Sequence, residues 1–267
     1  MAREVSSITR VGTSEPFELQ VARGQIAYHE SVYKFGNNPV VADSVETIWP
    51  QGGLYSYLSA ATVLKVSSSS TNDASAGTGA RTVELFGLDG DYNEISETVT
   101  LNGQTAVNTT QSYLRINRMI VRSAGSGEAN AGNIYAGTGT VTTGVPANIY
   151  AIINGDGSNQ TLMALWTVPA GYTAYLMQYD VSNGTTSNTP AVCKLSLVAR
   201  PFGEVFQTKD VKSLTTGMHI ENTLVIPVKF AEKTDIEARA ISSSASVTFD
   251  ISAAFEIIYI KNGSELA

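Results

Sequence analysis

The stretch SVTFDISAAFEIIYI, residues 246–260, constrains the fold of this chain more than any other. Val247, Phe249, Ile251, Ala253, Phe255, Ile257 and Tyr259 alternate with Thr248, Asp250, Ser252, Ala254 and Glu256. A period of two places the first set on one face of a strand and the second set on the other, so the segment reads as a long strand with one buried face. Near its end Ile258 and Ile260 make the second face apolar as well. That tip is expected to be covered on both sides, the second cover coming from a neighbouring subunit.

Other segments alternate in the same way. RTVELFGL (81–88) and EISETVTL (94–101) read as strands, the latter with Ile95, Val99 and Leu101 on one face. SYLRINRMIVRSA (112–124) places Leu114, Ile116, Arg118 and Ile120 in one row. TLMALWTVPAGYTAYLMQYDV (161–181) reads as two strands joined at Pro169-Ala170-Gly171, where proline presets one backbone angle and glycine permits a positive one. AVCKLSLVARPF, ENTLVIPVKF and DIEARAIS complete the set. Helical periodicity is nearly absent. The expectation is an all-β protein of two antiparallel β-sandwich or jelly-roll-like domains, preceded by an extended N-terminal arm.

Composition shifts set the expected boundaries. Residues 1–65 form the arm, with aromatics and Gly/Pro breaks but no strong periodicity. Residues 66–150 form the first β-domain and 151–267 the second. A low-complexity loop (67–80) and a Gly-rich passage that separates the two domains fall within this scheme. GTG recurs at Gly77 and Gly137, too little for an internal repeat.

The chain has 267 residues, 43% of them apolar and only 15% charged, against about 25% charged in an ordinary soluble domain. The net charge of −7 and the lack of a Lys/Arg cluster argue against nucleic-acid binding. MAREVSSITR carries charges without a following apolar run, so no signal peptide is expected. No run of about 20 apolar residues suggests a membrane span. Cys193 stands alone in a strand-like setting and reads as a small buried hydrophobe.

Little in the chain points to chemistry. DGDYNE (89–94) spaces oxygen ligands like the start of a calcium loop, but the sixth residue is Glu94 and the twelfth Thr100, where an EF-hand needs Gly and a bidentate carboxylate. A turn between two strands explains it better. His29 and His219 are too few for a metal site or a triad, and no G-x-S-x-G elbow or zinc spacing occurs. The pairs Glu94/Glu97 and Glu232/Asp235 read as solvated turn residues rather than glycosidase carboxylates. No enzyme and no cofactor is expected. Tyr135, Tyr150, Trp166, Tyr172, Tyr175 and Tyr179 suit cores and subunit contacts, with a sugar-stacking surface as the alternative.

The segments FELQVARGQIAYHESVYKFGNNP, GTGARTVELFGLDGDYNEISETVTLNG, SYLRINRMIVRSAGSGEANAGNI, QTLMALWTVPAGYTAYL and IPVKFAEKTDIEARA together resemble a family of structural proteins from tailed bacteriophages, common among marine and cyanobacterial phages. The resemblance runs from about residue 14 to residue 260. It implies a virion protein made in the bacterial host cytoplasm, self-associating as a homotrimer. The implied partners are the major capsid protein or tail and portal-proximal proteins, with a host-surface glycan as a further candidate. The leading expectation is a capsid decoration or head-fibre protein docking through its arm, with Arg3, Arg10, Phe17, Val21, Ile26, Tyr33, Phe35 and Trp49 as candidate contacts. The alternative is a tail, collar or baseplate adaptor or fibre, including a receptor-binding one.

Overall fold

The computed structural model describes residues 15–264; Arg3 and Arg10 lie outside them. Apart from one short helix, α1 (Phe17–Ala22), the described chain is nearly all β, in small antiparallel sheets. The strands are β1 (His29–Val41), β2 (Glu46–Thr47), β3 (Thr62–Ser68), β4 (Ala80–Leu88), β5 (Glu94–Thr100), β6 (Val107–Tyr113), β7 (Arg115–Ala124) and β8 (Ile134–Thr142). They continue with β9 (Val145–Ile153), β10 (Leu165–Thr167), β11 (Tyr172–Gly184), β12 (Val192–Arg200), β13 (Gln207–Thr215), β14 (His219–Phe230), β15 (Asp235–Ser242) and β16 (Phe249–Lys261).

Two apolar cores organise these strands. One draws Leu176, Phe249 and Phe255 from the sheet β1-β16-β11-β14, and Leu195, Leu197 and Ile236 from the sheet β10-β15-β12-β13, on whose β15 the short β2 also pairs. The other draws Leu64, Val66 and Ile134 from β6-β3-β8-β9, and Val83, Leu85 and Met119 from β5-β4-β7. The alternation in 246–260 is realised: Val247, Phe249, Ile251, Ala253, Phe255, Ile257 and Tyr259 are all buried. Ile258 is buried too, but within this one chain, so no neighbouring subunit is needed to cover it.

The expected arm is corrected along its described length. From His29 to Val41 it is β1, paired with β16 from His29↔Ile260 to Val41↔Phe249, and β2 pairs with β15. Gly36 makes this seating possible: a Cβ there would lie 2.2 Å from the backbone nitrogen of Ala164 and 2.6 Å from the carbonyl oxygen of Ile48. The chain therefore enters the C-terminal core first, runs through β3–β9 as one contiguous insertion, and returns. The Gly-rich passage is not a separator, because it folds into β8 and β9, which join the sheet through β3.

Asp73 anchors the loop 67–80 from inside. Asp73 is fully buried, and its carboxylate accepts hydrogen bonds from the backbone N–H groups of Ala80 (2.7 Å), Ala131 (2.8 Å) and Gly132 (3.0 Å) and from Ser68 Oγ (2.5 Å). A carboxylate that accepts several backbone donors fixes a loop as firmly as a strand pairing does.

One sequence expectation fails for a reason of register. A bulge at Asn117 breaks the row Leu114–Ile116–Arg118–Ile120. One extra residue flips all that follows to the opposite face, so Met119 enters the core and Arg118 stays out of it. A second bulge, at Met177, separates Tyr175 from Tyr179 in the same way. Pro169–Gly171 joins two strands as expected, but β10 and β11 belong to different sheets, so the turn carries the chain across the core.

Candidate functional site

The predicted contact residues scatter. Val21 and Trp49 are corrected to interior positions: both are only 3% exposed, and Trp49 packs in the second core while its Nε1 donates to Gly52 O at 2.9 Å. Phe17 is exposed and meets His29 edge-to-face. Ile26 is half-buried. Tyr33 and Phe35 sit side by side on β1, ring centroids 5.6 Å apart.

The six aromatics form no common surface. Tyr135 and Tyr150 pack with the second core, while Trp166, Tyr172 and Tyr179 pack with the first. Tyr259, between Trp166 (5.3 Å) and Tyr172 (5.2 Å), completes that stack. Only Tyr175 lies on the outer face of its strand, paired with Ile258 and Lys229.

DGDYNE is a turn between β4 and β5. Asp89 Oδ1 accepts from the N–H groups of Asp91 (2.8 Å) and Asn93 (2.9 Å), and Tyr92 takes φ +68°. Slight desolvation pushes the Asp89 carboxyl up, but these bonds outweigh it and leave it below the ordinary value. The weighed carboxylate pairs are split among separate tasks. Glu97 accepts from Thr110 N at 2.9 Å, Glu232 from Gly171 N at 2.6 Å, and Glu94 from Tyr259 Oη at 3.4 Å. Burial pushes the Cys193 thiol up to about 11, which keeps it in the unreactive protonated form.

Asp235 is the largest correction, since it is buried rather than solvated. Its Oδ1 accepts from Arg115 Nε (2.7 Å) and Thr167 Oγ1 (2.6 Å). Its Oδ2 accepts from Arg115 Nη2 (3.1 Å) and from Arg200 Nε (3.1 Å) and Nη2 (2.5 Å). Tyr57 lies beneath both guanidiniums, 4.9 Å from Arg115 and 4.6 Å from Arg200, and its hydroxyl donates to the buried Glu237 at 3.0 Å. Arg115 comes from β7 and Asp235 from β15, so this cluster ties the two cores together. SYLRINR and DIEARA both read as strands, but nothing in the sequence signals that they meet across 120 residues.

A second polar group is buried nearby. Lys34, on the inner face of β1, is 2% exposed, and its Nζ donates to the carbonyl of Asn117. Burial, with Arg118 adding to it, holds its amine well below the usual lysine range. In the unfolded chain the amine binds a proton up to its ordinary pKa near 10.5, and in the folded protein it releases that proton earlier. Between the two values the unfolded state binds more protons, so folding stability rises with pH there, by at most about 1.4 kcal/mol per pH unit. Lys34→Met should lose this slope. Urea unfolding of both proteins at pH 7–10 checks it, and parallel pH curves would rule the reading out.

The outer face of β1-β16-β11-β14 holds an open groove. The alternation that buries Phe255 and Ile251 turns Ala254 and Ser252 outward. Cross-strand register builds two rows, Phe35–Ala254–Asp180–Glu221 and Asn37–Ser252–Ser182–His219. Small side chains floor a groove of about 580 Å³, and Tyr33 and Phe35 wall one side. Arg118 lies 5.6 Å from the Phe35 ring centroid and donates to Tyr33 O at 2.5 Å, bracing the aromatic wall from behind.

No protein-family model matches the chain, and no curated protein matches it. Among solved structures it is similar to that of the infectious bursal disease virus Gx strain, at 11% identity and a TM-score of 0.24, over 88% of this chain and 73% of the other. It is also similar to the VP2 subviral particle of infectious bursal disease virus, at 9% identity and a TM-score of 0.24, over 90% and 73%. Overlap at that level carries no argument about this chain.

Proposed function

We infer that this chain is a non-enzymatic structural subunit of a virus particle, of the tailed-phage kind its sequence resembles, and that it decorates the capsid as a self-associating oligomer. The observation that carries this reading is an apolar projection on an edge strand. Between the pairs Leu176↔Val228 and Gln178↔Thr223, β14 bulges outward through Leu224–Pro227. Val225 is 99% exposed there and Ile226 83%. Two such side chains standing fully in water on a free sheet edge mark a surface that a partner covers. Low charge and a rigid, doubly cored β body suit a part that is repeated many times on a particle.

Immunogold labelling of purified virions tests the placement. Gold over the whole head, with tens to hundreds of copies per particle, supports decoration. Gold at one vertex or along the tail moves the protein to an adaptor or fibre role, and no gold on the particle overturns the virion reading. Truncating residues 1–60 cannot test docking, because β1 and β2 would be lost with them. Two better variants are removal of residues 1–14 and the double change Val225→Asp/Ile226→Asp. The latter is expected to fold with an unchanged melting temperature and to lose particle binding. Full binding by that variant would remove the projection from the interface.

A further inference from the structure

We propose that the groove on the outer face of β1-β16-β11-β14 is a binding site for neutral saccharide chains, with Tyr33 as its stacking platform and Asp180 as its principal hydroxyl acceptor. The site is distinct from the six-aromatic set weighed in the sequence, most of which is interior. It also stands independently of any place in a virion.

The argument starts from the floor. Ala254, Ser252 and Ser182 occupy the central positions of the two rows, where larger side chains would fill the space. The volume of about 580 Å³ falls within the range of small-ligand sites, roughly 300–1,000 Å³. It lies across an open sheet face, so a chain longer than the groove can run out at either end.

The wall comes next. Tyr33 is 50% exposed, with Phe35 packed beside its ring and its backbone carbonyl held by the Arg118 guanidinium. A rigid aromatic ring kept half in water has an unspent apolar face. A pyranose ring offers the matching shape, a C–H face rimmed by hydroxyls.

The polar groups then select among ligands. Asn37 donates through Nδ2 to Asp250 Oδ1 (2.5 Å) and to Ser252 Oγ (3.2 Å), which fixes the amide at the end of the groove. Asp180 stands across Ala254 from Phe35, with His219 one row away. Donors and acceptors are mixed along one short path, as a sugar requires, because each hydroxyl both donates and accepts. The charged ends of a cationic peptide would call for acceptors only. Asp180, Glu221, Glu256 and Asp250 surround the groove with negative charge, which disfavours uronic or sulfated chains.

The test uses the full-length purified protein and soluble probes: hexasaccharides of glucose, mannose and galactose, a sulfated galactan, and an oligolysine peptide. Binding is read by titration calorimetry and by retardation in native gels containing the corresponding polysaccharide. At least one neutral hexasaccharide is expected to bind. Tyr33→Ala and Asp180→Ala should each weaken that binding by roughly tenfold or more, while Tyr33→Phe stays close to wild type because the ring remains. Unchanged melting temperatures confirm that the variants fold. Three results would overturn the proposal: no neutral saccharide bound at millimolar concentration, binding of the oligolysine or sulfated probe alone, or saccharide binding that Tyr33→Ala leaves intact.

Discussion

Asp235→Ala is expected to destabilise the protein by about 3–5 kcal/mol, the cost of leaving a buried charge without its partner. Arg115, with its side chain only 8% exposed, would keep its Nη1 bonds to Leu58 O and Leu114 O but lose both bonds to the carboxylate. Arg200 would lose its own pair, and Thr167 its acceptor. Arg200 is partly solvated, so its share is small, and most of the loss traces to Arg115. Because the cluster ties β7 to β15, the variant should also unfold less cooperatively, with the two cores melting at separate urea concentrations. Asp235→Asn keeps the shape and one acceptor and should fall between. A single transition shifted by less than about 1 kcal/mol would show that the pair adds nothing to the joint.

The second large effect is expected at Asp73. Asp73→Ala strands the buried N–H of Ala80, the part-buried N–H groups of Ala131 and Gly132, and the Ser68 hydroxyl. Each unmet buried donor costs about 1–3 kcal/mol, and some will recover a water, so a loss of roughly 3–5 kcal/mol follows. The damage should stay in the second core. Hydrogen exchange should quicken at Ala80, Ala131 and Gly132 while β11 and β16 remain protected. Quickened exchange across both cores would mean that the loop supports more than its own unit.

Much of the β architecture was legible. The alternation from Val247 to Tyr259 announced β16 outright, because a period of two has one structural meaning at that length. DGDYNE read correctly as a turn, since its Asp and Asn side chains cap their own loop. What failed was everything a strand's own residues do not encode. β1 reads as an arm because its inner face carries Lys34, Gly36 and Asn38, polar or small residues that give no apolar alternation. The row that joins Arg118 to Leu114 and Ile116 fails because a bulge is a pairing event, absent from the periodicity of either strand alone. The candidate groove was invisible for the same reason: its rows are assembled from four strands, and only Tyr33 and Phe35 stood out beforehand. Asp73 sat inside a Ser/Gly-rich run that looked structureless, and only the donors converging on it reveal its role.

The pairing of β1 with β16 sets the order in which this polypeptide can acquire its shape. As a ribosome releases the chain, residues 62–153 can collapse on their own, for β3–β9 find all their partners within that span. β1 has no such choice. It emerges before all of β2–β15, and its partner β16 only after them, His29 meeting Ile260. During the interval its unpaired backbone edge is open to any passing neighbour, the condition under which nascent β proteins aggregate or exchange segments. Synthesis rate and chaperone supply, more than final stability, should therefore govern the yield of this protein.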